Sequence, residues 1–242
     1  MTRDSGNQSF QNTKSRFMSS DINTQLAAPL LMELSNVGHR YSDSAALRGV
    51  NLTLRQGDFI FLTGASGAGK TTLLRIMSGD LKPSQGTINY HDHELFITHI
   101  FQDLKLIDGL SVSDNLDLAY DPQTFRNRRD FESSIKDIGQ ALGLQDYMNK
   151  KICNLNGGMK QKVAIVRALL PGPDILVADE PTSSLDFENS KRLFDVFSYY
   201  NQKRKLTIIW ASHNRELVRK FGGKMAHLEK GVLVHMGHAC FI

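Results

Sequence analysis

Gly64-Ala65-Ser66-Gly67-Ala68-Gly69-Lys70-Thr71 follows the apolar run Phe59-Ile60-Phe61-Leu62 and leads into a helical pattern over Thr71 to Ser78. A glycine-rich loop between a buried strand and a helix is the setting in which a P-loop holds phosphate. The glycines let the backbone curl until successive N–H groups face one point, and the helix adds the partial positive charge of its N-terminus. Lys70 can then reach the β- and γ-phosphates, while the Thr71 hydroxyl can ligate Mg²⁺. Gly64, Ala65, Ser66, Gly67, Ala68, Gly69, Lys70, Thr71 and Thr72 are accordingly the candidate ATP-binding residues.

Such a loop needs an acidic element to hold the metal and orient water. Ile175-Leu176-Val177-Ala178 reads as a strand buried on both faces, and it ends in Asp179 and Glu180. Asp179 is expected to bind Mg²⁺, directly or through its water shell. Glu180, one residue further out, is expected to polarise the attacking water as general base. Val50 to Leu54 alternates like a half-buried strand, Leu206 to Ala211 reads as a further buried one, and Lys82 to Gly86 reads as a turn. Helical pattern separates these strands and dominates Val112 to Lys151. The whole predicts an α/β fold: a P-loop site on a parallel sheet covered by helices.

With these elements in order, the sequence from about Leu30 to the C-terminal region resembles the ABC ATPase family. The resemblance implies a P-loop NTPase domain over 29–242 with a RecA-like parallel-sheet core, an inserted helical subdomain over about 104–170, and a small antiparallel β subdomain. That β subdomain is expected to be shortened, because Gly86 to Gln102 is shorter than in typical members. Tyr41 corresponds to the family's adenine-stacking aromatic. Phe101-Gln102-Asp103 resembles the glutamine loop, in which Gln102 contacts metal and water and so joins Thr71 and Asp179 as a metal residue. Leu155-Asn156-Gly157-Gly158-Met159 resembles the signature motif, followed by a helix from Lys160. Asp186 closes a D-loop-like stretch from Pro181, and His213 corresponds to the switch histidine, making Glu180, His213 and Gln102 the implied catalytic set. The usual signature Ser and Gln are here Asn156 and Met159, which implies slowed closure or hydrolysis while ATP binding persists.

In the family the signature of one subunit, here Asn156, Gly157 and Gly158, caps ATP held by the other, so the implied state is a head-to-tail dimer with a second copy of this chain. Within the family the sequence is most similar to the cell-division ATPase FtsE and to the lipoprotein-releasing and macrolide-efflux ATPases, and stretches such as Phe61 to Gly64 and Val112 to Asn115 look most like FtsE. The resemblance thus implies ATP and Mg²⁺ as cofactors and an FtsX-like or permease-like transmembrane partner docking near Leu104 to Ser113. It also implies a cytoplasmic location at the inner face of the membrane. A weakly hydrolysing ATP-dependent switch is the alternative that Asn156 keeps open. A soluble relative acting on nucleic acid would carry two ATPase domains or a long coiled coil, and no nucleic-acid partner is expected.

Composition agrees with this class. Of 242 residues, 40% are hydrophobic and 22% charged, enough for a sizeable core, and a net charge of +4 does not by itself point to nucleic acid. Two cysteines, Cys153 and Cys240, exclude a disulfide framework, and no apolar run has the length of a membrane span. Met1 to Ala28, rich in Ser, Asn, Gln and Thr, reads as a disordered tail without a secretory signal's apolar core. His91, Asp92, His93 and His99 fit no strong metal-ligand spacing and read as a polar turn or exposed strand face. Arg126, Arg128, Arg129 and Lys203-Arg204-Lys205 read as solvated helix ends.

Overall fold

The strands built on buried apolar runs form the centre of the molecule in the computed structural model, which describes residues 28–42, 44–92, 94–221 and 223–238. The expected tail, save Ala28, therefore lies outside the described residues, as do His93 and Cys240. In chain order the strands are β1 (Leu30–Tyr41), β2 (Ser44–Arg55), β3 (Phe59–Thr63), β4 (Gln85–Tyr90), β5 (Ile97–Ile100), β6 (Ile175–Asp179), β7 (Thr207–Ser212), β8 (Lys224–Glu229) and β9 (Val232–His238). The helices are α1 (Lys70–Met77), α2 (Val112–Asp117), α3 (Arg128–Ala141), α4 (Gly157–Leu169), α5 (Phe187–Arg204) and α6 (Arg215–Phe221).

A six-stranded sheet runs β5-β6-β7-β3-β8-β9, parallel except for the β8–β9 hairpin. A separate three-stranded antiparallel sheet runs β2-β1-β4, so the expected small β subdomain is present. Side chains alternate across each strand of the larger sheet. Ile60, Leu62, Ile175, Val177 and Ile209 pack with α1 and the antiparallel sheet, whereas Phe61, Leu176, Ile208 and Trp210 pack with α4 and α5. The buried residues of α2 and α3, among them Val112, Leu116, Phe131 and Ile138, join that second cluster, so the helical stretch shares its core with the sheet.

Two local expectations are corrected. Gly86 belongs to β4 and not to a turn that ends at it; a Cβ there would stand 2.2 Å from the Asn36 carbonyl oxygen, so the glycine serves a close strand approach. The signature helix begins at Gly157 and not Lys160, because Asn156 caps it: Asn156 Oδ1 accepts the Met159 N–H at 2.9 Å.

Candidate functional site

β3 delivers its chain into a loop whose shape only glycine permits at two points. Gly64 (φ 155°) and Gly69 (φ 103°) are in the left-handed region, and a Cβ would meet the Leu228 carbonyl at 2.4 Å or the Ala46 carbonyl at 2.5 Å. The loop is thus clamped between β8 and the start of β2. α1 begins with no side-chain cap and no acidic residue in its first turn. By contrast α2, α3, α4 and α5 are capped by Ser111, Asn127, Asn156 and Asp186. Among these helix starts, α1 is the one whose N–H groups remain open to an anion.

Lys70 lies at this mouth, 8% exposed, with Nζ donating to the carbonyls of Gly64 (2.9 Å) and Ala65 (3.2 Å). Its Nζ is 4.0 Å from Glu180 Oε1, and His213 Nδ1 is 2.8 Å from the same oxygen. Glu180 achieves this from a left-handed backbone (φ 52°) pinned by its N–H to the Ala211 carbonyl at 3.1 Å. A non-glycine residue held there costs roughly 1–2 kcal/mol. Asp179, at the end of β6, is 2% exposed, and its Oδ2 is buried without a hydrogen-bond partner among the described residues.

Not every expected site residue converges. Thr71 is exposed on the first turn of α1, and Thr72 is buried beneath it. Tyr41, 42% exposed, ends β1 and pairs with Ser44, two residues before the Ala46 carbonyl that abuts Gly69. Gln102 is exposed in the turn after β5 and makes no hydrogen bond to Lys70, Asp179 or Glu180. The signature residues meet the D-loop instead of the P-loop: Asn156, Gly157, Gly158, Ser184 and Asp186 line one cavity of about 450 Å³. A Cβ on Gly158 would stand 2.9 Å from the Ser184 carbonyl, so this glycine is required by the D-loop's approach.

One residue was misread. His99 is not on an exposed strand face: its side chain is 5% exposed, hydrogen-bonded through Nδ1 to Asp80 (3.0 Å) and stacked on Phe101 at 4.0 Å. His91 and Asp92 are exposed, and no metal-holding cluster of three ligands occurs among the described residues. The signal available in the sequence was position: His99 lies two residues before Phe101, inside a strand flanked by Ile97 and Ile100.

A family model described as ABC transporter matches residues 47–183. The spermidine/putrescine import ATP-binding protein PotA of Mycoplasma capricolum is 33% identical over 216 residues, 86% of this chain; the chain spans only 61% of that relative's length. The phosphonates import ATP-binding protein PhnC of Fusobacterium nucleatum is 32% identical, over 83% of this chain and 90% of the relative. The dimeric structure of MJ0796, a bacterial ABC transporter cassette, superposes with a TM-score of 0.78 at 26% identity, covering 88% of this chain and 100% of that one.

Proposed function

The chain belongs to the ABC transporter family of ATP-binding cassettes, and from that membership we propose that it hydrolyses ATP as a head-to-tail dimer and drives a transmembrane partner. The observation that carries this reading is the uncapped start of α1 inside the glycine loop, with Lys70 buried at its mouth and Glu180–His213 beside it. An incoming triphosphate replaces the carbonyl oxygens now held by Lys70, and the loop N–H groups and helix N-terminus take its charge. Tyr41, at the edge of the antiparallel sheet, stacks on adenine.

Asp179 fits a hard divalent cation: it is a buried carboxylate with no ion pair among the described residues, and Thr71 and Gln102 offer further oxygens. Mg²⁺ bound there supplies charge neutralisation of the β- and γ-phosphates. Glu180 takes the proton of the attacking water, and His213 fixes the carboxylate that does so. Asn156, Gly157 and Gly158 are presented away from the chain's own P-loop, for the nucleotide of a second copy; the dimeric MJ0796 cassette supports that arrangement. Saturating ATP and Mg²⁺ should convert Glu180→Gln protein from monomer to dimer by light scattering. A monomer under those conditions overturns the proposal.

Among the described residues no helix is long and apolar enough to cross a membrane; in this reading the transmembrane partner holds the span. Its docking face is the groove around Leu104 to Ser113, where Ile107 (48%) and Leu118 (57%) are exposed and a cavity of about 340 Å³ opens beside Leu104 and Arg167. Ile107→Glu should abolish co-purification with the membrane complex while leaving nucleotide affinity within twofold. Two partner classes have support: the FtsE-like stretches favour an FtsX-like protein in cell division, and the PotA and PhnC relatives favour an import permease. Capture from membranes with Glu180→Gln and ATP separates them by the identity of the retained protein.

A further inference from the structure

Beyond lining the cavity beside Leu104, His99 has no role in the reading above, yet its side chain is only 5% exposed. It is on β5, paired with Val177 of β6; Asp179 is two residues further along β6 on the same face. Diagonal neighbours of this kind are within reach of a long side chain. The ring is fixed from the far side: its Nδ1 faces Asp80 Oδ2 at 3.0 Å and Ser78 Oγ at 3.2 Å, and Phe101 stacks on it.

A carboxylate is a pure acceptor, so Asp80 selects the Nδ1–H tautomer and leaves Nε2 as a bare acceptor. Among the described residues Nε2 is buried with no hydrogen-bond partner, and so is Asp179 Oδ2. Two orphaned acceptors cannot satisfy each other. One water molecule, with two O–H donors, satisfies both.

We propose that His99 positions the Asp179 carboxylate through a single buried water that donates to His99 Nε2 and to Asp179 Oδ2. One carboxylate oxygen is thereby tethered from below, and the other is left for the cation. The line Asp80–His99–water–Asp179 acts as the support that orients a metal-bound carboxylate, and His99 is a positioning residue. The inference rests on the reading of Asp179 as a metal residue.

Mn²⁺ binding, followed by electron paramagnetic resonance in the presence of a non-hydrolysable ATP analogue, tests it on the full chain. Asp179→Asn should abolish tight Mn²⁺ binding; if it does not, the metal reading of Asp179 fails. Given that loss, His99→Phe, which keeps the stack on Phe101, should weaken Mn²⁺ binding about tenfold, the lower end of what losing such a support costs. Metal-free affinity for the analogue should stay within twofold, and His99→Gln, whose amide oxygen restores an acceptor, should recover most of the loss. Mn²⁺ binding by folded His99→Phe at wild-type strength overturns the inference. Nitrogen-15 shifts of the wild-type imidazole provide a second test that needs no core variant. A protonated Nδ1 with a hydrogen-bonded, unprotonated Nε2 supports the inference, and the Nε2–H tautomer overturns it.

Discussion

Asn156 does two things that its sequence position joins. As the cap of α4 its Oδ1 accepts the Met159 N–H at 2.9 Å, with the extended backbone (φ −71°, ψ 167°) of an N-cap. Ser and Asn cap helices about equally well, so Asn156→Ser should alter stability by no more than about 0.5 kcal/mol in urea unfolding. The two differ in what they present beyond the helix: the Asn amide carries its N–H₂ further than a Ser hydroxyl reaches. Asn156→Ser should therefore raise steady-state ATP turnover severalfold with nucleotide affinity unchanged, and equal turnover would remove the reason for assigning slow closure to Asn156. Gly158 is the opposite case, because a methyl there meets the Ser184 backbone at 2.9 Å. Gly158→Ala should cost about 1–3 kcal/mol by displacing the D-loop, and hydrolysis should fall more than tenfold in protein that still binds ATP.

At the scale of elements, what could be read in advance was what obeys a single period. β3 and β6 are apolar over Phe59–Leu62 and Ile175–Ala178 because both faces are covered, and each run was visible as a strand. β1 was not: its twelve residues carry register shifts against β2 at several points, which scramble alternation along Leu30–Tyr41. The P-loop and the acidic end of β6 were legible because local geometry makes the site. The clamp on Gly64 and Gly69 by Leu228 and Ala46 was not, since those partners are distant in sequence. His99 was misjudged because a polar residue in a short strand gives no sign of which face is covered. β7 holds a testable residue of this long-range kind. Trp210 is fully buried among Phe59, Phe61, Phe194, Phe197 and Phe221, and its Nε1–H has no acceptor among the described residues. Trp210→Phe removes that orphan donor while leaving a smaller void, so it should cost no more than about 1.5 kcal/mol in chemical denaturation. Trp210→Ala, which opens the whole cavity, should cost about 3–5 kcal/mol.

The molecule as a whole carries its packing on two faces of one sheet, and the α1 face includes a histidine that resists protonation. Burial lowers the pKa of His99 from its ordinary 6.5, against the opposing pull of Asp80 and Asp179. Below 6.5 the unfolded chain therefore binds a proton there that the folded chain declines. Stability rises with pH wherever the unfolded state binds more protons, so this contribution is complete above 6.5 and is lost as pH falls through the window beneath it. The carboxylates act later. Burial raises the pKa of Asp80, but hydrogen bonds from Ser78 and His99 outweigh it and leave the pKa below 3.8, so its stabilisation is lost only on acidification past that value. The two windows separate the groups. Calorimetric melting between pH 7.5 and 4.5 should fall with acidification, and His99→Phe should flatten that limb by at most about 1.4 kcal/mol per pH unit, the ceiling for one proton. The acid limb below pH 4, set by Asp80 and the other carboxylates, should persist in the variant with its midpoint moved up, because Asp80 loses the His99 hydrogen bond. A His99→Phe profile parallel to wild type between pH 7.5 and 4.5 would mean that the ring is protonated in the folded protein as readily as in the unfolded chain.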